Sequence, residues 1–267
     1  MRAATEKFRS ALRVRPDFDR AAYNLGTTLY THASALQAQL EASRPGPLAA
    51  ALSPRSPGAA RARAGHEAAA RAAFATAAQY IALAAAAQPQ RDVYRKSLAI
   101  VRPLLALPFL RAGPLLAAAT DTIGTISEVW LRQWFVLDRA SFRTASPLEA
   151  SLSVSASGAG GADASASAPH GPGGDAPLVI PLADILSVRR CCDPSLPEGE
   201  AFWVCLQHMR QGIYFVAADA DAADAWADAL LLAHELVAAR GSGALAAVLE
   251  PSGGDEPFLR RPSGGLR

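Results

Sequence analysis

The chain has 267 residues, enough for two modest domains that each bury a core. Hydrophobic residues make up 51% of it, but many are alanine and only 7% of all residues are aromatic, so we expect a helical, alanine-rich core beside a smaller aromatic one. The formal net charge of +2 provides no strongly basic surface, which argues against nucleic acid as a partner.

The cysteines and the N-terminal residues indicate the cellular compartment in which the protein is expected. Cys191, Cys192 and Cys205 are an odd set without metal-ligand spacing, and we expect free thiols in a reducing environment. Residues 1–7 are charged and contain no apolar signal segment. The uncharged stretch Ala72–Ala87 is mostly alanine and too short to span a bilayer. We therefore expect a soluble, cytoplasmic protein.

The first residues carry a helical pattern that a proline ends. Ala4, Phe8, Ala11 and Pro16 are spaced 4, 3 and 5 residues apart, and the segment Ala22–Gly26 begins the next pattern. Proline cannot donate the backbone hydrogen bond that would continue a helix. The spacing resembles the second helix of one tetratricopeptide repeat (TPR) followed by the first helix of the next. In this arrangement the glycine lets two helices cross closely.

A second pattern with the same spacing lies further along the chain. Ala77, Ile81, Ala84 and Pro89 are again 4, 3 and 5 residues apart, and a further helix is predicted over residues 92–101. The resemblance to TPR implies that the helices stack as repeats and hold a protein partner. A plain antiparallel pair of alanine-rich helices is the alternative that the same pattern allows.

Three segments have compositions typical of disorder. Residues 44–65 are rich in Pro, Arg, Gly and Ala and predict an insertion between helices. Residues 151–174 consist almost wholly of Ser, Ala and Gly, and residues 250–267 form a tail rich in Pro and Gly. We expect none of the three to contribute to a core.

The second half of the chain combines short aromatic and β-branched segments with one later amphipathic helix. Residues 130–137 (Trp-Leu-Arg-Gln-Trp-Phe-Val-Leu), 178–188, 201–206 and 212–216 are predicted strands. They resemble a pleckstrin-homology (PH) domain, in which the tryptophan-rich strand opens a β-barrel and a helix with a central tryptophan closes it. The resemblance implies a core that contains Trp134, Phe135, Phe215 and Trp226.

The chain shows no constellation of residues for catalysis or metal binding. Its five histidines share no metal spacing, and no nucleophile or dinucleotide motif is present. Asp219, Asp221 and Asp224 stand near the start of the last predicted helix, where Asp219 or Asp221 can cap it and Asp224 adds negative charge to the first turn. We therefore expect no catalytic residue, metal site, cofactor or small-molecule substrate.

The PH resemblance also bears on lipid binding. Lipid-binding PH domains hold phosphates through basic residues on their first strands. Leu131 and Gln133 occupy the positions of that basic pair here, and Arg132 lies on the alternate face of the strand. Selective headgroup binding is therefore not expected. Arg132, Arg189 and Arg190 remain candidates for weak contact with an anionic membrane.

Taken together, the patterns predict a two-domain α + β protein. TPR-like helical hairpins are expected over residues 1–112, and a PH-like barrel capped by a C-terminal helix over residues 120–240. This order resembles the plant and green-algal family of the protein "hypersensitive to latrunculin B". The resemblance rests on five segments: Tyr23–Gly26, Ile185–Val188, Asp193–Pro197, Phe215–Ala217 and Ala238–Gly241.

The family resemblance implies a non-enzymatic adaptor rather than an enzyme. It places the protein in membrane traffic linked to actin, peripheral on trans-Golgi or early-endosomal membranes, with TPR helices that bind a protein partner. Tyr23 and Asn24 are the candidate partner-binding residues. Two other functions stay open: a chaperone adaptor, in which Asn24 helps to clamp a C-terminal carboxylate, and a phosphoinositide sensor.

Overall fold

The computed structural model describes residues 2–43, 57–120, 126–146, 148–150, 177–209 and 212–250. Helices come first, a sheet follows, and two further helices end the described chain. The helices are α1 (Arg2–Val14), α2 (Asp19–Ala42), α3 (Pro57–Ala87), α4 (Asp92–Val101), α5 (Ala220–Arg240) and α6 (Gly243–Leu249). The strands are β1 (Arg111–Thr120), β2 (Ile126–Leu137), β3 (Ser141–Thr144), β4 (Val179–Pro181), β5 (Ile185–Cys191), β6 (Glu200–Leu206) and β7 (Ile213–Ala217).

The helices α2 and α3 form a closely packed hairpin. A Cβ atom on Gly26 would lie 2.7 Å from Ile81 Cγ1 and 3.0 Å from the carbonyl oxygen of Ala77, so only glycine allows this separation. The predicted close crossing at Gly26 is confirmed, and its partners Ala77 and Ile81 belong to the second segment with the 4, 3, 5 spacing. Further along the hairpin, the rings of Tyr30 and Phe74 meet edge to face at 5.2 Å.

The predicted insertion over residues 44–65 is corrected at its C-terminal end. Helix α3 starts at Pro57, so residues 57–65 are helical. Proline suits the first position of a helix, and the alanines and arginines that follow have high helix propensity, which the disorder-like composition obscured. Residues 44–56 lie outside the described residues, as does the predicted insertion 151–174 and the tail after Glu250.

The strands form one antiparallel sheet that curls into a half-barrel, with the order β4-β3-β2-β1-β7-β6-β5. The strand expected to open the barrel is its second strand, because β1 precedes it. Alanines and Pro114 concealed β1 in the sequence. Pro114 pairs with Trp134 of β2, whereas β7 pairs with β1 only at Leu116 and Ala117, so the missing N–H of the proline costs no bond to β7.

An aromatic cluster fills the half-barrel beneath α5. Trp226 is 2% exposed and its ring lies 5.5 Å from that of Phe142, while Phe135 and Phe215 are fully buried. The predicted core is confirmed for Phe135, Phe215 and Trp226. It is wrong for Trp134, which is only partly buried, because successive side chains of a strand point to opposite faces.

Helix α5 begins and ends as the sequence predicts. The carboxylate of Asp219 accepts a hydrogen bond of 2.7 Å from the Ala222 N–H, so Asp219 is the N-cap, and Gly241 follows the last helical residue with a φ of 77°. His234 Nδ1 lies 2.8 Å from the carbonyl oxygen of Leu182, which fixes α5 to the turn between β4 and β5. The helix thereby covers the gap between the two edge strands.

The helical part and the sheet share one buried hydrophobic cluster. It runs from Leu12 in α1 to Leu249 in α6 and includes both sides of the contact between α3 and α5. The predicted α + β class is confirmed, whereas the resemblances to TPR and PH remain predictions. None of the described helices is both long and apolar enough to cross a membrane.

Candidate functional site

Helices α2 and α4 are in contact, and we call the surface formed by their exposed faces the α2–α4 groove. The rings of Tyr23 and Tyr94 are 4.6 Å apart, and the hydroxyl oxygens of Tyr23 and Ser97 are 2.9 Å apart. The Tyr94 hydroxyl donates a 2.7 Å hydrogen bond to Asp19, which Arg91 also approaches at 3.5 Å. Tyr23, predicted to bind a partner, therefore uses both its ring and its hydroxyl inside the protein.

The solvent side of α2 forms one part of the groove. Ala22 and Leu25 face the core, which leaves Arg20 and Asn24 exposed one helical turn apart. The Asn24 carbonyl oxygen accepts a 2.7 Å hydrogen bond from the Thr28 hydroxyl, but its side-chain amide has no hydrogen-bond partner among the described residues. The amide of Asn24 is therefore free to bind a peptide backbone or a carboxylate.

An exposed apolar stripe on α4 forms the other part. Val93 and Ile100 are 51% and 66% exposed, and Lys96 lies between them at helical spacing. Val93 and Ile100 are not among the site residues predicted from the sequence. Their signal was available, because Tyr94 and Val101 account for the buried face of the helix and leave two large aliphatic side chains without a core partner.

The charges of the groove are not evenly balanced. Arg20 and Lys96 have no ion-pair partner in the described part of the chain, whereas Arg95 pairs with Asp92. Burial, and then the hydrogen bond to Asp19, raises the pKa of the Tyr94 hydroxyl, which stays protonated as a donor. The groove therefore offers exposed aliphatic surface, one free amide and two unpaired cations.

The arginines predicted to contact a membrane do not form one site. Arg132 lies exposed on β2, and Arg189 lies exposed on β5, with β1, β7 and β6 between them. Arg190 pairs with Glu200 at 2.5 Å and with Asp224 at 3.4 Å. Arg190 is thus engaged within the protein, whereas Arg132 and Arg189 have no hydrogen-bond or ion-pair partner among the described residues.

A buried ionic cluster joins α1, α3 and α5. Arg9 is 6% exposed and lies 3.1 Å from Asp224 and 3.3 Å from Asp228, and the Tyr80 hydroxyl donates to Asp228. Burial raises the pKa of Tyr80 and of Asp228. Burial alone would lower the pKa of Arg9, but its interactions with Tyr80, Asp228 and Asp224 outweigh that effect, so the pKa of Arg9 is raised. Asp224, predicted for the first turn of α5, lies in its second turn and serves this cluster.

A second polar contact links the sheet to the helices. Arg111 of β1 lies over the Trp226 ring at 4.9 Å and donates to Gln79 Oε1 at 3.2 Å, and Gln79 donates to the Ala225 carbonyl oxygen at 3.1 Å. Burial lowers the pKa of Arg111 to about 10. These groups are bound to one another, so packing between elements explains the lowered pKa of Arg111.

Comparisons with known proteins do not assign the chain to a family: no protein-family model matches it, and no curated protein shows significant similarity to it. Among the described residues, no three His, Cys, Asp or Glu side chains lie close enough together to hold a metal ion. The groove between α2 and α4 is therefore the candidate site, on its geometry alone.

Proposed function

We propose that the protein is a non-enzymatic adaptor whose α2–α4 groove binds a segment of a protein partner. The observations that carry the proposal are the exposure of Val93 and Ile100 on α4 and the free amide of Asn24 on α2, two helices joined by the contact between Tyr23 and Tyr94. Aliphatic surface gives affinity for apolar side chains, and an amide gives direction by hydrogen bonding to a peptide backbone. A peptide segment supplies both.

The sheet provides a second surface. Arg132 and Arg189 are exposed there, and each basic residue near an anionic membrane contributes about 1 kcal/mol. Two arginines support weak, peripheral association. The resemblance to the latrunculin-hypersensitivity family supports a setting in actin-linked traffic at trans-Golgi and endosomal membranes.

A matched pair of charge substitutions tests the groove. Ile100→Glu places a carboxylate in the apolar stripe, and Ala99→Glu places one on the adjacent exposed position, rotated away from the groove. Both variants and the unmodified chain are immobilised and exposed to the same cell extract, and the captured proteins are quantified by mass spectrometry. We expect a set of proteins that Ile100→Glu loses and Ala99→Glu keeps. Identical sets for all three chains would contradict the groove as the binding site.

The free cations favour one narrower version of this function, a clamp for a C-terminal carboxylate. Arg20 lies on α2 and Lys96 on α4, and Asn24 lies one turn from Arg20. Charge-assisted hydrogen bonds to a carboxylate are about twice as strong as neutral ones. Fluorescence anisotropy with an acidic peptide that ends in a free carboxylate, compared with its C-terminal amide, separates the two versions. Equal binding of both peptides would rule out the clamp and leave the general adaptor.

A further inference from the structure

A cavity of about 140 Å³ lies outside the groove, where three helices meet. Its walls come from the turn between α1 and α2, the last turn of α3 and the last turns of α5. The floor is apolar and buried, formed by Ala22, Leu83, Leu232 and Leu236. A cavity of this size, about that which binds benzene in an engineered apolar core, holds one side chain.

The rim of the cavity is predominantly acidic. Asp17, Asp19 and Glu235 line it together with Arg240. Asp17 forms an ion pair with Arg15 at 3.0 Å, and Asp19 accepts a hydrogen bond from Tyr94 and forms an ion pair with Arg91 at 3.5 Å. Glu235 has no hydrogen bond or ion pair to any described residue, so its carboxylate is available to a ligand.

Two helix ends add to the negative potential. Helix α3 ends at Ala87 and α5 ends at Arg240, and both residues line the cavity. The last carbonyl groups of a helix lack partners within it and carry partial negative charge. Helix α2 begins at Asp19, whose own carboxylate offsets the positive end of that helix. The cavity therefore combines an apolar floor with one unpaired carboxylate, that of Glu235, and two helix C-termini, and these favour a cation.

We infer that this cavity is a binding site for a lysine or arginine side chain of a protein partner. The methylene stem of either residue matches the leucine floor, and its charged end reaches the Glu235 carboxylate and the helix ends. A neutral aliphatic side chain would fill the floor but leave the rim unpaired, so the site selects for positive charge. This site adjoins the α2–α4 groove at Asp19, which accepts the hydrogen bond of Tyr94, but the adaptor proposal does not depend on it.

The test uses single amino-acid probes and the full chain. N-acetyl-lysine amide, N-acetyl-arginine amide and the neutral N-acetyl-norleucine amide are titrated into isotope-labelled protein and followed by NMR. We expect saturable shifts of the amides of residues 83–88 and 232–240 with the two cationic probes and none with norleucine. Equal shifts with norleucine, or no shifts at the highest soluble concentration of the cationic probes, would overturn the inference.

Variants separate this site from adventitious binding. Glu235→Gln should weaken lysine-amide binding about threefold, as expected for one partly exposed ion pair, whereas the exposed Glu198→Gln, which removes the same charge elsewhere, should not. Ala87→Leu adds a side chain at the cavity wall and should abolish binding. A lysine-amide affinity unchanged in both Glu235→Gln and Ala87→Leu would place the probe elsewhere and refute the assignment.

Discussion

Trp226 should be the residue on which the stability of the sheet depends most. Its side chain is 2% exposed, its ring lies 5.5 Å from Phe142, and Arg111 covers the ring at 4.9 Å. A Cβ on Gly113 would come within 3.7 Å of the same ring, so the sheet is already in contact with it. Little room remains for the surroundings to close a void left by truncation.

We expect Trp226→Ala to lower the free energy of unfolding by about 3–5 kcal/mol, the range for truncated buried aromatics. The loss of free energy should lie in the upper half of that range, because the substitution also removes two contacts of the ring. One is the aromatic contact with Phe142, a pair worth about 0.5–1.5 kcal/mol, and the other is the cation–π contact with Arg111.

Urea unfolding followed by far-ultraviolet circular dichroism measures the change without relying on tryptophan fluorescence. Trp226→Phe is the control, and we expect it to lose less because a ring remains against Phe142. Since the buried cluster is continuous from α1 to α6, helices and sheet should lose structure in one transition. A Trp226→Ala midpoint equal to that of the unmodified chain would show that α5 does not close the half-barrel.

Three further predictions concern the helix crossing, an ion pair and the membrane. Gly26→Ala should destabilise by about 1–3 kcal/mol through overpacking, whereas Gly65→Ala, with nothing within 4 Å, should stabilise by up to about 1 kcal/mol; thermal melts that shift in the same direction would refute the crossing. The bidentate hydrogen bonds from Arg143 lower the pKa of Glu149 to about 2, so this carboxylate contributes stability above its ordinary value of 4.5 that is lost as pH falls towards 2. In Glu149→Gln the urea midpoint should therefore fall less over that interval than in the unmodified chain, and an equal fall would contradict the ion pair. Vesicle co-sedimentation should show weak, salt-sensitive binding without selectivity among phosphoinositide isomers, reduced by Arg189→Ala; selective binding that persists at high salt would favour a lipid sensor.

The sequence predicted those elements whose local pattern agrees with their surroundings. Helix α1, the Gly26 crossing and the Asp219 cap follow from spacing and from single residues whose chemistry acts locally. Strand β1 was not predicted from the sequence, because alanines and Pro114 have low strand propensity. Its place in the sheet is set by pairing with residues of β2 and β7 that are distant in sequence. Tertiary contacts outweighed propensity there.

The candidate site was predictable only in part. Asn24 was predicted because the resemblance to TPR places an asparagine at this position, and its role stays a prediction, whereas Val93 and Ile100 resemble ordinary core residues until the buried face of α4 is known. Tyr23 shows the converse: its role in packing depends on Tyr94 and Ser97, which no short-range pattern connects with it. Exposure is a property of the whole fold, and a single sequence gives it only indirectly.

The ionic cluster illustrates why two predicted domains behave as one packed unit. Arg9 and Asp224 are 215 residues apart in sequence, and neither carries a signal for the other. Removing one member would leave an unpaired buried charge, at a cost of about 3–5 kcal/mol, so the cluster resists separation of α1 from α5. Arg111 and Gln79 connect β1 to the same helices. For the adaptor proposed here, a partner bound in the groove would therefore keep a fixed orientation relative to the sheet.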